Sequence, residues 1–156
     1  MPFTVRLAID LDLLRLVTVG QEYFDEVGVR WDGYNFNREK VMEVAMQALS
    51  NKDHAIFIAY ENKTGEILGF YWGCKVGQMW CDEPIAHDIF LYVRPWARGL
   101  KVSKALITEF IKWCRANNCV SIQVGANSGI MQDAPAARVY QSLGFAPGGY
   151  CFNYKL

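Results

Sequence analysis

The stretch that most constrains this chain begins at His87. Residues His87–Val93 (HDIFLYV) form a nearly continuous apolar run, the pattern of a central strand covered on both faces. A short loop follows, then a helical period over Gly99–Asn117 that turns Val102, Leu106, Phe110 and Cys114 inward. Val120–Gly125 reads as another strand. Strand, helix and strand in this order predict a right-handed parallel crossover over residues 87–125.

The remaining elements fit around that unit. Phe3–Ile9 alternates, with Phe3, Val5, Leu7 and Ile9 on one face. Asp10 then suits the N-cap of a helix running to about Val27, where Leu13, Leu14 and Val17 recur at helical spacing. Gly28–Phe36 has no period and reads as a loop, and a second helix starts behind Asn37 with Val41, Val44, Ala45, Ala48 and Leu49 as its buried stripe. His54–Tyr60 and Ile67–Val76 predict two strands joined through Asn62–Gly65 as a hairpin, with a glycine where positive φ is needed. A short helix over Ala134–Leu143 and a terminal strand over Tyr150–Lys155 complete the chain. The order β-α-α-β-β-β-α-β-α-β predicts an α+β (mixed α/β) fold, a central mixed sheet with helices on both faces. At 156 residues, one domain over residues 1–156 is expected.

Composition excludes several classes. An apolar share of 52% against 21% charged belongs to a globular chain and not to a disordered one. A formal net charge of +0 argues against a surface built to grip nucleic acid. No apolar run approaches the ~20 residues that span a bilayer, and Met1–Arg6 lacks a signal-peptide layout. The expected setting is cytoplasmic, with no membrane partner. Five cysteines without a CxxC pair read as free thiols, and no metal site is expected. The neutral total conceals a split. Residues 1–90 hold 8 basic and 14 acidic side chains, and residues 91–156 hold 8 and 2. That asymmetry suggests an anionic ligand on the C-terminal half.

The loop after the central strand narrows the ligand. Residues 94–104 carry Arg94, Arg98, Lys101 and Lys104 and no acid. Cations at a helix N-terminus oppose the macrodipole unless an anion sits there. A pyrophosphate would satisfy both the backbone N–H groups and the cations.

The run Val93-Arg94-Pro95-Trp96-Ala97-Arg98-Gly99 resembles the V-x-P-x-x-R-G signature of the GCN5-related N-acetyltransferases, the GNAT superfamily. Ala136–Phe145 (AARVYQSLGF) is similar to that family's A-x-x-x-Y-x-x-x-G-F segment, and the element order matches over essentially the whole chain. The resemblance implies a GNAT-like acyl-CoA N-acyltransferase fold, acetyl-CoA as acyl donor and an amine-bearing acceptor, small molecule or protein. It implies cofactor contacts from Leu91, Tyr92, Val93, Arg98, Gly99, Leu100, Lys101, Val102, Ser103 and Asp133. Lys101 and Ser103 stand where the family carries glycine, and Asp133 where many relatives carry Asn.

Acetyl transfer needs an acid for the leaving thiolate and a base for the ammonium proton. Tyr140 occupies the family's tyrosine position and is expected as the acid. Asp88, on the central strand where many relatives carry Glu, is expected as the base, with His87 as rival and a water chain left open. Trp31, Tyr34 and Phe36 are candidate walls of the acceptor pocket. A silent acyl-CoA sensor and an aminoacyl-tRNA acetyltransferase remain as alternatives. A homodimer stays open.

Overall fold

The computed structural model describes residues 1–27, 34–99, 101–125 and 133–149, with residues 133 and 134 described by backbone alone. Among the described residues, five strands form one sheet: β1 (Phe3–Leu7), β2 (His54–Glu61), β3 (Ile67–Val76), β4 (Ile85–Val93) and β5 (Ser121–Gln123), in that spatial order. β1 to β4 pair antiparallel, and β5 joins β4 parallel. The helices are α1 (Leu13–Val27), α2 (Arg38–Ser50), α3 (Val102–Ala116) and α4 (Asp133–Ser142). The mixed sheet expected from the sequence is found, and so is the parallel β4-α3-β5 order.

Strand alternation splits the core between the two faces. Ala55, Phe57, Ala59, Leu68, Tyr71 and Ala86 meet α3 and α4 through Leu106, Ile107, Phe110 and Tyr140. Ile56, Ile58, Ile67, Phe70 and Tyr92 meet α1 and α2 through Leu16, Val19 and Ala48. Each large side chain fully withdrawn from water in this way contributes roughly 1.5–3 kcal/mol. The four inward residues expected of α3 are all buried. Asn37 caps α2 as expected, its side chain accepting the Lys40 N–H.

Four expectations need correction. Val44 is 42% exposed, because α2 turns a narrower stripe to the sheet. Leu7 and Ile9 are also exposed, since β1 is an edge strand whose ladder ends at Leu7. Asp10 does not cap the first helix. A short 3-10 turn, Asp10–Asp12, precedes α1, and it is Asp12 that accepts the Ile9 N–H at 3.0 Å while binding Arg6 and Arg15. Finally, β4 is not buried on both faces. Phe90 is 36% exposed, and most of the strand is half-buried, because its apolar side chains face a cavity and an open edge. The terminal strand expected at residues 150–155 and the loop from Gly28 to Gly33 lie outside the described residues.

Candidate active site

A register shift in β4 sets the geometry of the site. Trp72 pairs with Phe90 and Gly73 with Asp88, so Ile89 has no opposite residue in β3. One extra residue reverses the alternation. Asp88 therefore faces α3 and α4, whereas Phe90 and Tyr92 face α1, with Tyr23 ring centroids at 5.4 and 5.6 Å. The ladder to β5 ends at the His87–Gln123 pair. Beyond it the Gly125 N–H donates to Asp88 Oδ1 at 3.0 Å, a side chain standing in for the backbone partner that β4 would have supplied. From residue 88 onward, no described strand pairs with that edge of β4.

The second oxygen of Asp88 accepts from the Tyr140 hydroxyl at 3.4 Å. The end of α4 holds this phenol in place. Gly144, at φ 93°, lets the Phe145 and Gly144 N–H groups turn back to the Tyr140 and Gln141 carbonyls, a Schellman closure. The Phe145 ring then meets Tyr140 edge-on at 5.2 Å. The tyrosine and the Gly-Phe pair of the sequence segment are thus parts of one helix stop. Tyr140 is 4% exposed, and burial together with the Asp88 charge pushes its phenol above the ordinary value. Burial also raises Asp88, while the Gly125 N–H and the Tyr140 hydroxyl pull it down without fully offsetting the burial. Tyr71 completes the group. Its buried hydroxyl makes no well-formed hydrogen bond among the described residues, although it lies close enough to Tyr140 for a weak one that raises Tyr71 and lowers Tyr140.

Past β4 the chain makes a 3-10 turn, Pro95–Ala97, and enters α3 through Lys101. Lys101 is in the left-handed region, φ 64° and ψ 14°, and supplies no side-chain cap. Such a conformation costs an L-residue about 1–2 kcal/mol. The first N–H groups of α3 are left for a ligand or water, which suits an anion. Of the four cations near this turn, two are already engaged. Arg94 binds Glu22 at 2.7 and 2.8 Å and Glu66 at 2.7 Å, and Arg98 binds Glu26 at 2.7 and 2.8 Å. Arg98 also donates to the Val93 carbonyl and lies over the Tyr92 ring, centroid 5.8 Å away. Lys101 and Lys104 make no ion pair among the described residues. Part of the charge split between the two halves of the chain is therefore neutralised internally.

On the other face, a cavity of about 430 Å³ opens between α1, α2 and the sheet. Tyr34 and Phe36, candidate walls of an acceptor pocket in the sequence, line it together with Trp72 and Phe90.

The structure brings Asp88 and Tyr140 together and sets His87 on the opposite face of β4, across from Cys74 and Gln123. Leu91 and Val93 pack toward α3, and Tyr92 is buried under α1, so contacts from these three to a ligand on the β5 side fall to backbone groups. Gly99 has φ 86°, Val102 is buried and Ser103 is half-buried. Leu100, Trp31 and the Asp133 side chain lie outside the described residues. Sequence reasoning missed Glu22, Glu26, Tyr71 and Gly125. A signal existed for the first two: Glu22 and Glu26 are four residues apart on α1, as are Arg94 and Arg98 on the turn they bind.

Comparison with known proteins follows the same lines. The model of the acetyltransferase (GNAT) family matches residues 19–145. A mycothiol acetyltransferase of Acidothermus cellulolyticus is 30% identical over 97 residues, 56% of this chain and 29% of that protein. An uncharacterized N-acetyltransferase of Schizosaccharomyces pombe is 28% identical over 141 residues, 90% of this chain and 79% of its own length. Among solved structures, AAC(6')-Iy in complex with the bisubstrate analog CoA-S-monomethyl-acetylneamine superposes with a TM-score of 0.77 at 19% identity, covering 100% of this chain and 99% of that one. At such identity the likeness speaks for the fold.

Proposed function

The chain belongs to the GNAT acetyltransferase family, and on that premise we propose that residues 1–156 act as one domain that moves acetyl from acetyl-CoA to an amine by direct attack in a ternary complex. The observation that carries the reading is the Asp88–Tyr140 pair, held where β5 leaves β4. The residues present suit the donor. The uncapped N-terminus of α3, the left-handed Lys101 and the free cations Lys101 and Lys104 fit a pyrophosphate, and the unpaired edge of β4 fits an extended amide-bearing arm.

In the reaction, the Asp88 carboxylate accepts a proton from the acceptor ammonium and frees its lone pair. The nitrogen bonds to the thioester carbonyl carbon, the C–S bond breaks, and Tyr140 gives its hydroxyl proton to the departing sulfur. The Asp88 carboxyl then returns its proton to the Tyr140 phenolate through their hydrogen bond. The second nitrogen proton leaves to solvent, so each turnover releases one proton. A phenol raised by burial stays protonated at neutral pH, as an acid must. A carboxylate raised by burial is a better base than an ordinary one.

The test is acetyl-CoA-dependent thiol release over a panel of amines, with mass-spectrometric detection of the acetylated product. Turnover with any amine supports the proposal. Tight acetyl-CoA binding without turnover would instead make the protein a silent binder.

A further inference from the structure

The cavity between α1, α2 and the sheet carries an inference about the acceptor, resting on the acetyltransferase reading above. Its volume, about 430 Å³, is that of a small-ligand site. Aromatic rings dominate its wall, among them Tyr23, Phe36, Phe70, Trp72 and Phe90, and no carboxylate lines it among the described residues. Among the described residues its one charged lining residue is Lys40, exposed near the start of α2. The cavity lies on the face of β4 opposite Asp88, next to the strand edge that no described strand pairs beyond residue 88. Phe90 belongs to its wall and stands two residues from Asp88, directly past the unpaired Ile89. To meet Asp88 and Tyr140 on the other face, the amine of a body seated against Phe90 must pass the edge of β4 beyond residue 88.

We propose that this cavity seats the apolar body of the acceptor, and that the acceptor is a monoamine with an aromatic or similarly bulky hydrocarbon group. Ring faces suit such a body and also attract one ammonium. They offer nothing to a second or third charge, which would have to leave water without a partner. Lys40 adds repulsion against a polycation entering along α2. Sugar amines with many hydroxyls fail on the same ground, because the wall has few acceptors for them.

Three amines separate the possibilities: 2-phenylethylamine, glucosamine and spermidine, each with saturating acetyl-CoA. Calorimetric titration of N-acetyl-2-phenylethylamine adds a readout independent of turnover. The expected result is a kcat/KM for 2-phenylethylamine at least tenfold above the other two, with the acetylated product binding. Phe90→Ala should raise KM for 2-phenylethylamine tenfold or more and leave KM for acetyl-CoA unchanged. Lys40→Glu, which reverses the charge in the cavity wall, should improve kcat/KM for spermidine several-fold relative to that for 2-phenylethylamine. Equal or better turnover of glucosamine or spermidine by the unaltered protein overturns the inference and keeps the acetyltransferase. Product binding without turnover of any amine keeps the cavity as a ligand site and removes the acetyltransferase reading. Failure of both sinks the two together.

Discussion

Replacing Tyr140 by Phe removes one oxygen and keeps the ring that packs on Phe145. The hydrogen bond lost is long, 3.4 Å to Asp88 Oδ2. Its contribution to stability therefore belongs at the low end for such bonds, about 0.5–1 kcal/mol. For a chain of this size that is a fall in Tm of roughly 1–4 °C. The same oxygen, if it protonates the departing thiolate, is worth about 10²-fold in kcat, or about 2.7 kcal/mol. The catalytic loss should thus be several times the structural one. A further signature follows from the electrostatics. The Tyr140 hydroxyl lowers Asp88 against the upward pull of burial, so its removal lets Asp88 rise further. If Asp88 is the base, the acidic limb of the pH–rate profile moves to higher pH in Tyr140→Phe. The assay is initial-rate thiol release at saturating amine from pH 5 to 10, with thermal melts on the same preparations. A kcat within threefold of the parent, or an acidic limb that stays in place, would refute the assigned roles. KM for acetyl-CoA should stay within twofold.

Asp88→Asn should keep the Gly125 N–H satisfied while removing a charge that burial disfavours, so Tm is expected to hold or rise while kcat falls 10²-fold or more. Because the folded value of Asp88 is raised, the parent loses stability as pH climbs from the ordinary carboxylate value, about 3.9, through the raised one. Melts of Asp88→Asn should lack that component. Lys101→Gly should relieve the left-handed backbone at φ 64° and gain roughly 0.5–1 kcal/mol by thermal melt. It should also weaken acetyl-CoA binding about 5–30-fold and flatten its salt dependence, read by calorimetry at two ionic strengths. Asp12→Ala should cost roughly 2–3 kcal/mol by denaturant titration, with catalysis per folded molecule unchanged. It orphans the Ile9 N–H and unpairs Arg6 and Arg15, though both arginines remain open to water.

The elements themselves were legible because their periods are strong. α3 shows its inward stripe in the sequence, and the Ile67–Val76 strand has the bounds expected from the sequence. The site was legible only in part. Asp88 and Tyr140 could be named but not paired, since 52 residues separate them and the pairing depends on which face each strand residue takes. The extra residue at Ile89 decides that, and nothing in a run as apolar as HDIFLYV marks it. Without the shift, Asp88 and Phe90 would share a face, and the cavity wall would lose its ring. The partners of the arginines were hidden for a related reason. A basic turn free of nearby acids invites an anionic ligand, but Glu22 and Glu26 reach Arg94 and Arg98 from 72 residues away.

Two withdrawn carboxylates in one chain show how the site differs from the scaffold. Asp12 is out of contact with water, and burial alone would raise it. The Arg6 pair, the Ile9 N–H and Arg15 outweigh that, and Asp12 ends below its ordinary value, so it stabilises the fold until pH falls through the lowered one. Asp88 has a backbone N–H and a long phenol contact and, among the described residues, no cation in hydrogen-bond range, and it ends raised. A carboxylate kept only for structure would be expected to resemble Asp12. Asp88 is raised by burial, the buried Tyr71 hydroxyl makes no well-formed hydrogen bond among the described residues, and Lys101 holds a glycine's backbone geometry at an uncapped helix start. The first two meet at Tyr140, and the third stands at the N-terminus of α3. Local penalties of separate physical origin are what the proposed site, if kept for binding and proton transfer, is expected to show. A fold selected for stability alone would have removed each of them with a single substitution: Asp88→Asn, Tyr71→Phe or Lys101→Gly.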